Sequence, residues 1–216
     1  MSTIFNYIDF SQKSLPVAAL SIAFNPIFWK SVSQLLELRL KHFSYGHGLL
    51  EYRKRYLTRI FGNPYYGCYF LALLIFFLGI FRDHLYHEAL HEQPYYKPVH
   101  QPLVAAVLFG VGNVLVLSSM WALGLTGTYL GDYFGILMDA PVTGFPFNVS
   151  SAPMYWGSAM SFLGVALYKG KPAGLLLVLQ VFIMYWLALR WEDPFTAEIY
   201  AKRERERRKL KDGKRS

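Results

Sequence analysis

The stretch LVAAVLFGVGNVLVLSSMWALG, Leu103 to Gly124, runs for 22 residues without one charged side chain. About 20 such residues cross the hydrocarbon core of a bilayer as a helix. In lipid every backbone amide must be satisfied within its own segment, so a chain carrying this run is committed to helices or to a closed barrel. A strand spanning a barrel needs only about ten residues of alternating character. The unbroken apolar run therefore selects helices.

The rest of the chain agrees. Hydrophobic residues make up 54% of 216 and aromatics 18%, with a mean hydropathy of +0.24, too apolar for an ordinary soluble domain. YYGCYFLALLIFFLGIF (Tyr65–Phe81) reads as a second span, introduced by the helix-start signal Gly62-Asn63-Pro64. SAMSFLGVALY and GLLLVLQVFIMYWLAL flank KGKPA and read as a helical hairpin. The earlier run LPVAALSIAFNPIFW (Leu15–Trp29) is short and broken by Asn25-Pro26, which suits an in-plane or re-entrant helix. The predicted fold is an all-α integral membrane protein, one domain over 1–216. It has the in-plane or re-entrant helix over 15–32 and about four membrane helices over 65–81, 103–124, 155–168 and 173–190, the last two a hairpin. RDHLYHEALHEQPYYKPVHQP is expected to be a polar loop, and Pro194 to turn the chain sharply out of the last helix.

Charge sets the orientation. The tail KRERERRKLKDGKRS, 201–216 with Ala201, holds nine Lys or Arg against three acids, within a chain of net charge +8. Beside membrane helices such a tail faces the cytosol and anionic lipid rather than nucleic acid. A second basic stretch, Arg39 to Arg59, then requires an even number of crossings between the two. A three-crossing alternative puts the loop after Phe81 in the cytosol. No cleavable signal precedes the first apolar run, so insertion is expected to rely on internal helices. The lone Cys68 allows no internal disulfide.

Three features carry chemistry. His87-Glu88-Ala89-Leu90-His91 fits the H-E-x-x-H pattern of zinc proteases, against the plainer reading of a hydrated loop. Gly110-Val111-Gly112 lies mid-span, where each glycine costs roughly 1 kcal/mol against alanine. Close helix packing is one reason for the pair, and a notch admitting a ligand to the backbone is the other. Glu192 and Asp193 follow an apolar run at a helix end that prefers cations. They pair with Arg190 or the tail in the headgroup zone, or they mark a site. Asp132 is a second acid in apolar surroundings. With Tyr129, Tyr133, Tyr155, Trp156 and Trp191 these acids would form a cage for a cation.

FNPIFW, FGVGNVLVLSS, LGLTGTYLGDYFGIL, VTGFPFNV, PMYWGS and RWEDPFTAEIY, in this order, resemble the phospholipid N-methyltransferases of the endoplasmic reticulum, and most nearly their fungal branch acting on phosphatidyl-N-methylethanolamine. The resemblance implies methyl transfer from S-adenosylmethionine to the amine of phosphatidyl-N-methylethanolamine and its dimethyl form, with phosphatidylethanolamine a further acceptor, giving phosphatidylcholine. It implies a multi-pass protein of the endoplasmic reticulum membrane, with the mitochondrial membrane a second address. The cofactor motifs of the family fall on Gly110, Val111 and Gly112 and on Glu192 and Asp193. Asp193 stands where the family commonly has Glu, so the charge is kept on a shorter arm. Ala152 stands where related isoprenylcysteine methyltransferases carry a His. No metal enters the implied reaction. The base that takes the amine proton is expected to be Asp132, or Glu198 in second place. The competing functions are a membrane zinc metalloprotease built on His87 and His91 and a non-catalytic membrane adaptor.

Overall fold

The computed structural model describes residues 4–24, 56–139 and 142–212. Among these the protein is all helix with no strand. Ser14–Phe24 is α1, Tyr56–Phe61 is α2, Pro64–Glu92 is α3, Pro102–Thr128 is α4, Pro153–Lys169 is α5 and Pro172–Asp212 is α6. Three segments are long and apolar enough to cross a membrane: α3, α4 and Pro172–Arg190 of α6. The fourth arm, α5, has 17 residues, or about 26 Å of helix against a hydrocarbon core of about 30 Å. It forms the expected hairpin with α6.

Helix starts follow the local signals. The Asn63 side chain accepts a hydrogen bond from the Tyr65 amide at 2.8 Å, with Pro64 in the first turn. Gly170 (φ 63) closes α5 in the left-handed conformation.

The segment after Phe81, expected as a polar loop, is helix as far as Glu92. Leu85, Tyr86, Ala89 and Leu90 recur at helical spacing, and the last three are buried. Tyr86 stacks edge-on against Phe162 (centroids 4.6 Å) and donates its hydroxyl to the Phe162 carbonyl at 2.9 Å. Packing on that stripe outweighs the polar composition of the other face. Pro194 likewise does not end the last helix, because α6 runs through it to Asp212. An interior proline costs a helix about 3 kcal/mol. The residues beyond it are strong helix formers, with Glu198 and Lys202, and Glu204 and Arg208, at the i,i+4 spacing that supports a solvent helix. The chain after Gly124 also stays helical to Thr128, across a kink at Gly124 (φ 65, ψ −178).

Small residues set the closest helix contact. A methyl group at Gly112 of α4 would lie 2.5 Å from the Gly157 carbonyl oxygen of α5, and one at Gly164 would lie 2.8 Å from that of Ala105. The two backbones therefore touch, as small residues permit in lipid. α5 packs on α6 through Ala166 against Gly174, Trp156 against Phe182 and Tyr155 against Tyr185.

The N-terminal segment begins beside the end of α3. Gln93, 2% exposed, exchanges hydrogen bonds with Asp9 (2.9 and 2.8 Å) and donates to Gln12. Ser14 donates to Glu92 at 3.1 Å. By Ala19 the helix has reached Gln180 of α6, which donates to its carbonyl at 2.7 Å. α1 thus packs along the bundle, with Leu15, Ala18 and Ile22 buried in it. Residues 25–32, included in the predicted first helix, lie outside the described residues.

Candidate functional site: the tail end of the bundle

The bundle has two ends. One gathers the N-terminus, Gln93 to Gln101 and the Lys169–Lys171 turn, where the Tyr96 amide donates to the Gly170 carbonyl at 2.9 Å. The other gathers α2, the start of α3, the exit of α4 and the far part of α6. At this second end the chain leaving α4 folds back on itself. Leu130 (φ 58) and Gly135 (φ 75) are left-handed and bracket the 3-10 turn Gly131–Phe134. A methyl at Gly131 would meet the Thr126 carbonyl oxygen at 2.5 Å, so the fold-back needs glycine there. The Phe134 ring closes over Gly67, and the Cys68 thiol donates to the Tyr129 carbonyl at 3.6 Å. Asp132 is thereby half-buried between α3 and α4. Burial raises the Tyr129 phenol above its ordinary value, so it stays protonated near neutrality.

The far part of α6 is fastened to the same loop. The Tyr200 hydroxyl accepts from the Met138 amide at 3.2 Å. The Arg203 guanidinium donates to the Met138 carbonyl at 2.6 Å and pairs with Asp139 at 3.2 Å. Glu192, Asp193 and Glu198 lie on the helix leading into this latch. Their side chains are outside the described residues, as are those of Tyr133 and Trp191.

The structure divides the glycine pair. Gly112 is filled by α5, whereas a methyl at Gly110 would meet nothing within 4 Å. Val111 between them faces outward. The α4–α5 and α5–α6 contacts place Gly112 level with about Ile183, so the Glu192 backbone lies nine residues, roughly 14 Å, further toward the tail end. The glycine motif and the acid pair therefore flank one length of the bundle, and a ligand touching both would lie extended along it. Arg190 stacks over Trp186, one turn back, at 4.3 Å. The expected aromatic cage is partly taken up in packing, since Tyr155 and Trp156 hold α5 to α6.

Sequence reasoning missed three features. One is the latch, whose signal was Arg203 within a run of like charges, indistinguishable from its neighbours. Another is Arg82, whose guanidinium binds Asp83 (2.9 Å) and the Tyr185 hydroxyl (3.1 Å) and covers the Phe162 ring (4.8 Å). A cation next to an apolar run was its signal. The third is Asn113 beside Gly110, which donates to the Phe109 carbonyl at 2.7 Å and approaches Ser161 at 3.5 Å.

His87 and His91 stand four apart on α3, yet among the described residues no three His, Cys, Asp or Glu side chains form a metal-binding group. The Lys169 ammonium donates to the His87 carbonyl at 3.2 Å, which opposes a cation there.

Comparison with known proteins assigns the chain. The phosphatidyl-N-methylethanolamine N-methyltransferase of Emericella nidulans is 67% identical over 213 residues, 99% of this chain and 98% of the relative. The protein of the same name from Saccharomyces cerevisiae is 50% identical over 206 residues, covering 94% and 93%. Human phosphatidylethanolamine N-methyltransferase is 42% identical over 203 residues, covering 93% and 94%. No solved structure matches. The family profile described as phospholipid methyltransferase matches residues 100–203, a stretch that runs from the start of α4 to the Arg203 latch. The chain is a multi-pass membrane enzyme that takes its methyl group from a donor, and it belongs to the phospholipid methyltransferase family.

Proposed function

We propose that this chain methylates the amine of phosphatidyl-N-methylethanolamine and phosphatidyl-N,N-dimethylethanolamine with S-adenosylmethionine, yielding phosphatidylcholine. Phosphatidylethanolamine is a further acceptor in this reading. The observation that carries it is the 67% identity, along almost the whole chain, to a phosphatidyl-N-methylethanolamine N-methyltransferase. The reading treats residues 1–216 as a single membrane domain in the endoplasmic reticulum, with the mitochondrial membrane a second address, and with the basic tail against anionic lipid.

The residues present suit a cationic, elongated donor. Bound S-adenosylmethionine supplies an electrophilic methyl on a sulfonium. Glu192 and Asp193 supply negative charge just beyond the apolar end of Pro172–Arg190. Gly110 offers open backbone, and Val111 beside it an apolar face. Gly112 acts one step back, by letting α4 and α5 touch and so fixing where Gly110 lies. The work left to the chain is positioning, with reacting atoms held about 3–3.5 Å apart. The lipid amine must first lose a proton, since alkylammonium groups titrate near lysine, at about 10.4. Asp132 in its half-buried turn is the first candidate for that proton, and Glu198, one turn before the latch, the second.

The test is to incubate the purified chain with radiolabelled S-adenosylmethionine and each lipid amine in turn. Label should pass to the monomethyl and dimethyl lipids and be indifferent to chelators. Glu192→Ala should insert normally yet lose donor binding. Undiminished binding by that variant refutes the acid-pair assignment. Failure of the wild type to label any lipid amine refutes the substrate reading.

A further inference from the structure

At the end of the bundle opposite the acid pair, a cleft of about 350 Å³ opens between α3, α4 and α5. Its walls are Ala105, Ala106, Phe109, Gly164, Val165 and Tyr168. The cleft exists because Gly164 lets α5 approach Ala105 closely while the two alanines leave room beside that contact. Phe109 and Tyr168 are exposed at its outer edge, so it opens sideways, toward lipid.

Two polar residues complete the lining, His87 and Lys169. Lys169 gives one hydrogen bond, to the His87 carbonyl, and an ammonium has three protons to give. Among the described residues it has no ion pair within 4 Å, and Glu88 acts on it only at longer range. Asp83, His84 and Glu88 are the other charged or titratable groups near His87. An unneutralised cation at the rim of an apolar slot is the complement of an amphiphile with an anionic head. The volume, at the low end of the roughly 300–1,000 Å³ usual for ligand pockets, suits one alkyl chain.

We propose that this cleft binds a glycerophospholipid from the leaflet at the Lys169 end, one acyl chain lying against Phe109, Val165 and Tyr168 and its phosphate on Lys169. The phosphate ester is common to all glycerophospholipids, so the headgroup beyond it is not selected. This site stands apart from Asp132 and Glu198, the proposed proton acceptors at the other end, and only its Phe109 wall borders Gly110. It does not depend on the methyl-transfer reading.

The full chain is reconstituted in phosphatidylcholine vesicles containing a small fraction of phosphatidylcholine with a photoactivatable acyl chain, irradiated, and mapped by peptide. Label should concentrate on residues 105–109 and 164–168. Val165→Trp, which fills the slot, should remove that concentration, and Ala106→Leu serves if the first variant unfolds. Lys169→Gln should lower it about tenfold, as expected for losing one charge-assisted contact. Label spread evenly over the exposed faces, or unchanged in the filled variant, overturns the proposal. So does unchanged label in Lys169→Gln, or capture of a photoactivatable fatty acid in place of the phospholipid. Methylation is not the readout, so its failure and the failure of this site are separate results.

Discussion

Gly110 and Gly112 show how two identical residues two positions apart come to do different work. A methyl at Gly112 collides with the Gly157 carbonyl and Ser161, while one at Gly110 enters open space. Gly112→Ala forces the closest backbone contact apart and should cost about 1–3 kcal/mol, as overpacking does. Gly110→Ala should be neutral or stabilising by up to about 1 kcal/mol, because alanine is the better helix former. Thermal unfolding in detergent compares the two. If Gly110 serves the methyl donor, its alanine variant melts no lower than the wild type yet binds S-adenosylmethionine at least roughly tenfold more weakly, or about 1.4 kcal/mol. Equal donor affinity would leave the notch without a function. The sequence made the pair visible as a costly interruption but could not divide it. The division depends on which face α5 covers, and that is set by Gly157 and Gly164, some 45 residues away.

At the scale of elements, apolar runs and caps were legible, because a span of about 20 apolar residues and an Asn-Pro start are local signals. The misread boundaries after Phe81 and at Pro194 came from helices whose support is not local. Residues 82–92 fold as helix because α5 covers Tyr86 and α6 covers Leu90. Beyond Pro194, α6 is fastened by Tyr200 and Arg203 to a loop some 60 residues upstream. The two contacts of Arg203 are unequal. Asp139 is 95% exposed, and an ion pair in that setting is worth about 0–1 kcal/mol. The short bond to the Met138 carbonyl is charge-assisted, worth about 1.5–3 kcal/mol when well shielded. Arg203→Ala should therefore loosen the latch by about 1–2 kcal/mol, and Asp139→Ala by less than about 0.5 kcal/mol. Hydrogen exchange of the amides from Tyr200 to Asp212 measures both: faster in the first variant, near wild type in the second. Similar acceleration in both would mean that the ion pair, not the carbonyl bond, holds the helix.

For the whole molecule, Leu57 and Phe134 both pack on Gly67 while Arg203 holds Met138. Arg59 of α2 and Arg203 of α6 therefore lie at the same end of the bundle, the arrangement that the positive-inside tendency expects. Arg39 to Arg55 lie outside the described residues. What the sequence concealed is the relative height of its apolar runs. Leu90 packs on Gly174 and Arg82 reaches Tyr185, so Tyr65–Phe81 of α3 and Gly174–Leu189 of α6 overlap for only about four to seven residues. Their centres are displaced by roughly 14–19 Å along the bundle. A flat hydrocarbon slab cannot cover both. A boundary that followed both runs would step toward the tail end along α3 and toward the Lys169 end along α4, α5 and α6, keeping the cleft beside Phe109 and Val165 within hydrocarbon. The backbone of Glu192 consequently stands level with the middle of the apolar run of α3. Such a step is where a headgroup can reach bilayer depth without crossing it. Spin labels at His84 and Leu179, both exposed, test this, since the same contacts place them at nearly one height. The label at position 179 should be relaxed by oxygen, which dissolves in hydrocarbon, and the label at 84 by a water-soluble nickel chelate. Equal accessibility at the two positions would restore a flat boundary and leave the acid pair without its route to the lipid amine.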